Sequence, residues 1–315
     1  MAGIRYHECS TGDDDIMSTQ DQPTGPPNAR IVLFGMRCAF TRPVLEALIA
    51  APGVDLAAIV LPEPVTDDDR FAPGTRAIGI ATRAGLHDAA VRDTLRALAP
   101  DLIVVACFPW RLPEGLLGLP ARGGVNVHPS LLPDGRGPAP VFWAFRWGLA
   151  ETGVSLHVLD GGFDTGPLIA QRRLAIPPDG TLPGLERTLA RLGAGLLLDR
   201  LTDILTGTAR PAPQHGEPAR YAPLPRAGDL LVTTGWPARV AARFIRAVAP
   251  VHGPVPVLVR ATGQRLAVAE VIDVHDDASP GPVTARHDMA TVRFSPGILS
   301  CRLESTPRPL HLHRS

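Results

Sequence analysis

Arg30-Ile31-Val32-Leu33-Phe34-Gly35 is a short, unbroken apolar run closed by a glycine. A run of this length without alternation reads as a strand buried on both faces, as in parallel sheets. Outward from it, Thr41 stands where a helix N-cap belongs, and Val44, Leu45, Leu48 and Ile49 follow at helical spacing. Further apolar runs at 56–61 and 101–106, with a helical stretch at 89–99 between them, read as a second and a third buried strand. Strands alternating with helices predict an α/β fold, a doubly wound and mainly parallel sheet. The turn Gly35-Met36-Arg37-Cys38-Ala39-Phe40 lacks the second and third glycines that let a backbone approach a pyrophosphate, so a dinucleotide site is excluded.

Beyond a helix at 181–207 comes a connection rich in proline, with Pro211, Pro213, Pro218, Pro223 and Pro225, which reads as an extended linker. A helix at 237–248 then precedes short segments at 256–260, 265–274, 282–286, 290–294 and 299–303, separated by Gly, Asp and Pro. This spacing predicts a small β-barrel of the OB type. The expected organisation is a disordered segment at 1–29, a first domain at 30–207, a linker at 208–227, a barrel-like domain at 228–305 and a tail at 306–315.

Composition narrows the chemistry. The 31 basic residues are all arginine and balance 31 acidic ones, so Schiff-base lysine chemistry is excluded and the net charge makes no case for a polyanion. Cys9, Cys38, Cys107 and Cys301 are far apart and form no CxxC pair or Cys/His ligand spacing, which predicts neither a metal site nor a disulfide framework. No apolar run reaches bilayer length, and the first residues lack the apolar core of a signal peptide. The expectation is a cytoplasmic protein without a membrane partner.

Two segments carry the polar residues. In Gly124-Val125-Asn126-Val127-His128-Pro129-Ser130-Leu131-Leu132-Pro133, the two valines bracket Asn126, placing Asn126 and His128 on one face of a strand. In His157-Val158-Leu159-Asp160-Gly161-Gly162-Phe163-Asp164-Thr165-Gly166, an apolar strand runs into a glycine-rich turn bearing two carboxylates. His157 alternates into that strand as a core or surface residue. Strand ends are where open α/β sheets place their sites.

Asn126-Val127-His128-Pro129-Ser130-Leu131-Leu132-Pro133 and Phe163-Asp164-Thr165-Gly166-Pro167 resemble the signature loops of the formyltransferases that use 10-formyltetrahydrofolate. The likeness covers residues 30–205 and continues more weakly through Tyr221-Ala222-Pro223 and Arg246-Ala247-Val248-Ala249-Pro250. It implies a Rossmann-like formyltransferase fold, 10-formyltetrahydrofolate as donor, and Asn126, His128 and Asp164 as catalytic residues. An amine attacking a formyl carbon generates an oxyanion and an ammonium. Asn126 can donate to the first, worth about 2.7–4 kcal/mol for such a donor. His128 can polarise the formyl oxygen or manage protons, and Asp164 can orient His128. Folate is expected on Cys107, Phe108, Trp110 and Leu112, with Asp160, Gly161 and Gly162 opposite. Trp110 equally suits plain packing, and Asp160 plain turn support.

Which amine is acylated turns on charge. The stretch 62–74, where the tRNA-dependent members of this family carry a basic insertion, holds Asp67, Asp68 and Asp69 beside a single Arg70. Gripping RNA needs clustered cations on phosphates. Arg239, Arg243, Arg246, Arg260 and Arg265 of the barrel could serve, but a solvated helix face explains the first three equally well. The expectation is therefore a small amine, such as an amino sugar or amino acid derivative, with methionyl-tRNA the alternative. A hydrolase releasing formate from the same donor, and a non-catalytic folate- or RNA-binding module, are the other readings.

Overall fold

The computed structural model describes residues 28–64, 75–215, 219–276 and 281–304. Residues 1–27 of the expected disordered segment, the C-terminal tail and Asp67, Asp68, Asp69 and Arg70 lie outside the described residues, whereas Ala29, expected in that segment, is buried at the start of the first strand.

The first sheet has seven strands: β1 (Ala29–Gly35), β2 (Val54–Leu61), β3 (Arg76–Gly79), β4 (Leu102–Ala106), β5 (Gly124–His128), β6 (Glu151–Val158) and β7 (Leu168–Ala175). Their order is β3-β2-β1-β4-β5-β6-β7. Pairings from β3 through β5 are parallel, while β5–β6 and β6–β7 are antiparallel. The expected doubly wound sheet is present, with an antiparallel edge. β3 and β7 went unread in the sequence, so the run at 102–106 is the fourth strand and not the third.

Side chains alternate across this sheet as a period of two requires. Ile31 and Leu33 enter one apolar cluster, whereas Val32 and Phe34 enter the other. The helices are α1 (Thr41–Ala50), α2 (Ala89–Ala97), α3 (Glu114–Leu117), α4 (Pro140–Arg146), α5 (Leu182–Thr206) and α6 (Ala238–His252). On the first face α5 crosses β5 and β6 closely enough that a Cβ on Gly193 would meet Val127 at 2.6 Å. Only glycine allows that approach.

Thr41 does not cap α1. Phe40 holds the N-cap position, and the Thr41 hydroxyl instead accepts from Met36 N at 3.1 Å and donates to Ala106 O at 2.8 Å. A buried hydroxyl thus ties the loop after β1 to the end of β4, where the strand order reverses.

The expected second β domain is a six-stranded sheet of order β11-β12-β13-β10-β9-β8, comprising β8 (Val232–Thr233), β9 (Val255–Leu258), β10 (Arg265–His275), β11 (Val283–Arg286), β12 (Met289–Arg293) and β13 (Ile298–Leu303). Helix α6 covers it and also packs on α4 and α5, with Phe142 and Phe244 edge to face at 5.7 Å. The Arg146 guanidinium lies 4.3 Å from the centre of the Trp236 ring, across the same junction.

The proline-rich connection is more than a spacer. Ala212 bridges Leu168, and Tyr221 bridges Arg136. Gly135 N donates to Arg220 O at 2.8 Å, and Ala222 N to Arg136 O at 2.7 Å. The segment between the two sheets therefore lies along the loop that follows β5.

Candidate active site

Val125 and Val127 of β5 face the α5 side, which leaves Asn126 and His128 on the opposite face, as the sequence predicts. The antiparallel register pairs Asn126 with His157 and His128 with Ser155. Four polar side chains on two adjacent strands thereby share one buried patch. Ser155 accepts from Leu132 N at 3.0 Å and donates to Ser130 O at 2.6 Å, pinning the loop after β5.

The turn after β6 delivers Asp164 to this patch. At Gly166 a Cβ would stand 1.8 Å from Val158 O, so glycine is required there. Asp164 itself adopts a left-handed backbone, with φ of 55°. For a residue other than glycine that costs about 1–3 kcal/mol and persists only where the surroundings enforce it. Two bonds to its carboxylate do so: Asn126 Nδ2 donates to Oδ1 at 3.0 Å and Gly137 N to Oδ2 at 2.9 Å.

Proton positions follow from partners that can only accept. His128 Nε2 lies 2.8 Å from Gly135 O, so Nε2 carries the proton and donates. Nδ1 then turns to Asp164 Oδ1, 3.5 Å away. By the same logic His157 Nδ1 donates to Val158 O at 2.8 Å, and its bare Nε2 accepts from Asn126 Nδ2 at 3.1 Å. Both N–H bonds of Asn126 are thus engaged, by His157 and Asp164. The sequence identified Asn126 as a donor; in the structure that donor is already paired on both N–H bonds.

Burial pushes the His128 imidazole below its ordinary value, against the opposing pull of the Asp164 charge. At neutral pH the ring is uncharged, with Nδ1 free to take a proton. Burial alone would raise the Asp164 carboxyl, but the positive charge His128 carries when protonated, together with His157 and the Gly137 N–H, holds it well below the usual carboxylate range. The pair is a neutral base beside a fixed negative charge.

The loop after β4 starts at Cys107, which is exposed and has φ of 59°. Phe108 meets Phe34 at 5.2 Å and Trp110 at 5.5 Å, both edge to face, and Leu112 is buried. Trp110 therefore packs on the core as well as lining the loop. Asp160 supports its turn, accepting from Gly162 N at 3.0 Å and from the Thr165 hydroxyl at 2.8 Å. Arg111 donates to Gly161 O, joining the two loops. A Cβ on Gly161 would meet nothing within 4 Å, so the backbone there is open. Partly exposed Phe108 and Trp110 on one loop and open backbone at Gly161 on the other are groups that a flat heterocycle with polar edges could use. Three groups that sequence reasoning missed complete the patch: His157, Ser155 and Gln214. The pairing register that brings His157 beside Asn126 leaves no trace in a single sequence.

A family profile described as formyl transferase matches residues 58–201. The methionyl-tRNA formyltransferase of Roseiflexus castenholzii is 33% identical over 279 residues, covering 86% of this chain and 89% of that one. The chain belongs to the formyltransferase family. The enzyme of the same name from Myxococcus xanthus is 38% identical over 211 residues, 67% of each chain. Among solved structures, the N-formyltransferase from Helicobacter canadensis, in complex with folinic acid and dTDP-3-aminofucose, superposes with a TM-score of 0.61 at 14% identity, over 88% of this chain and 99% of that one. That likeness is one of fold. The chain is an enzyme that transfers a formyl group from 10-formyltetrahydrofolate, which removes the non-catalytic reading. Among the described residues no helix is long and apolar enough to cross a membrane, and no cluster of His, Cys, Asp and Glu could hold a metal ion.

Proposed function

We propose that this enzyme formylates the amino group of methionyl-tRNA, with Asn126, His128 and Asp164 as the catalytic residues and the cytoplasm as its setting. The observation that carries the acceptor is the 86% of the chain aligned with a methionyl-tRNA formyltransferase, more than the seven-stranded sheet and its helices supply. This reverses the preference for a small amine drawn from charge alone. Free thiols at Cys38, Cys107 and Cys301 suit a reducing compartment.

10-Formyltetrahydrofolate supplies the formyl carbon when bound. Residues Cys107, Phe108, Trp110 and Leu112 would hold it on one side, with Asp160, Gly161 and Gly162 on the other. The amine approaches from the side of His128, whose bare Nδ1 takes the proton it sheds. Charging His128 draws Asp164 Oδ1 toward it and releases the Asn126 N–H that Asp164 had held. That N–H then serves the negative charge developing on the formyl oxygen. As the bond between the formyl carbon and the donor nitrogen breaks, His128 returns its proton to that nitrogen, so that tetrahydrofolate leaves and the ring is neutral again. Asp164 compensates the imidazolium in between, and no residue is acylated.

Purified protein incubated with 10-formyltetrahydrofolate and methionyl-tRNA should yield N-formylmethionyl-tRNA, read by mass spectrometry after deacylation. The small-amine reading keeps one support: Arg239 is bound by Asp276, and Arg302 by Glu270 and Asp288, so these cations are already compensated. Formylation of amino sugars with none of methionyl-tRNA would replace the proposal with that reading. Formate release without any acceptor would point to a hydrolase.

A further inference from the structure

Gln214 belongs to neither signature loop, yet every hydrogen-bonding position of its amide is used beside the catalytic patch. Nε2 donates to Asp164 O and to Gly166 O, both at 2.8 Å. Oε1 accepts from Arg136 Nε at 3.1 Å and from Nη2 at 2.8 Å. The amide has one orientation only: turned over, it would set oxygen against two carbonyls and N–H against a guanidinium. Gln214 thereby fastens the Asp164 turn to the loop whose Gly137 N–H holds the Asp164 carboxylate. It reaches there from the segment between the two sheets, anchored nearby where Ala212 bridges Leu168.

We infer that Gln214 is a positioning residue for the transfer reaction, holding the left-handed backbone of Asp164 so that its carboxylate stays on Asn126 and beside His128. The inference rests on the proposed catalytic role of Asp164. It also makes the inter-domain segment a structural part of the centre, so that docking of the second sheet and alignment of the carboxylate are linked.

A double-mutant cycle tests it, measuring kcat, KM for the donor and thermal midpoint for Gln214→Leu, Asp164→Asn and the pair. Misplacing a reacting group by a fraction of an ångström to one ångström costs about tenfold to a hundredfold. Gln214→Leu should therefore lower kcat by about that much with KM changed less than about threefold. In the Asp164→Asn background it should cost less than about twofold, because the group it positions is already gone. An equal loss in both backgrounds would overturn the inference by showing a general structural role. A normal rate for Gln214→Leu beside a crippled Asp164→Asn would overturn it alone. A normal rate for Asp164→Asn would overturn the catalytic reading and the inference together. Arg136→Met, which frees the opposite edge of the amide, stands in if Gln214→Leu does not fold; the same dependence on Asp164 is expected, and its absence counts against the inference.

Discussion

Among the described residues, Thr41, Asn126, His128, Ser130, Thr152, Ser155 and His157 are buried polar side chains around the seven-stranded sheet, whereas the six-stranded sheet and its helix bury only Thr234. Polar burial is costly unless each group finds a partner. The first domain accepts that cost where β5 and β6 meet their loops, and nearly every such group there is bonded to another element. The second closes on Phe244, Ile245, Val257, Val268 and Leu299, and sends its charge outward into exposed pairs such as Arg239 with Asp276. Buried polar groups belong to the first sheet; the second keeps its polar groups at the surface.

The largest effect that could break this division is loss of the centre itself. Asn126→Ala, His128→Ala and Asp164→Ala should each lower turnover by about 10²–10⁴-fold, the range for a positioned acid–base or oxyanion group. Thermal midpoints should show the variants still folded. Near-normal rates at saturating substrate for two of the three would place the chemistry elsewhere.

Buried hydroxyls sharpen the comparison. Thr41→Val leaves Ala106 O without its donor and Met36 N without its acceptor, inside the junction of β1 and β4. Leaving such groups unmet costs about 1–3 kcal/mol. Thr234→Val deprives only Arg260 N, at the exposed end of the second sheet, where water can replace the hydroxyl. Urea unfolding should rank the two accordingly. Equal losses would mean that the first domain does not depend on polar burial more than the second.

Much of this could be read in the chain beforehand, and the failures have physical causes. Long apolar runs such as 30–35 and 101–106 declare buried strands, and Asn126 and His128 declare a shared face through their spacing. β3 is four residues long, half exposed and without periodicity, so it stays silent. Thr41 looked like a cap because capping residues and buried hydroxyls are the same residue type; tertiary contact decides which. Gln214 sits among prolines that read as linker, and its partners lie about fifty and eighty residues away. The preference for a small amine rested on the charge of one loop, whereas the likeness over 86% of the chain favours methionyl-tRNA.

His157 is one of the three site residues that a single sequence hides, and His157→Phe measures it. Phenylalanine fills the space but offers no acceptor to the Asn126 N–H. A buried hydrogen bond is worth about 0.5–1.5 kcal/mol net, so kcat should fall about threefold to tenfold. An unchanged rate would make His157 packing alone.

The smallest expected effect is a pH dependence of stability. His128 has its folded value below its ordinary 6.5, chiefly through burial. The unfolded chain therefore binds the proton first, and stability declines as pH falls toward and below 6.5. From about pH 7.5 to 6.5 one such group can remove at most roughly 0.4 kcal/mol, since the unfolded imidazole is only half charged at the lower end. Asp164 acts elsewhere: its depressed carboxyl stabilises the fold above the ordinary carboxylate value of 3.8 and is lost only as pH falls below it. Urea unfolding of the wild type and of His128→Asn at both pH values isolates the term, because the other histidines contribute to both proteins alike. The variant should show the smaller drop. An identical drop in the two proteins would mean that His128 is not held neutral by its surroundings, and the base assigned to the first sheet would lose its footing.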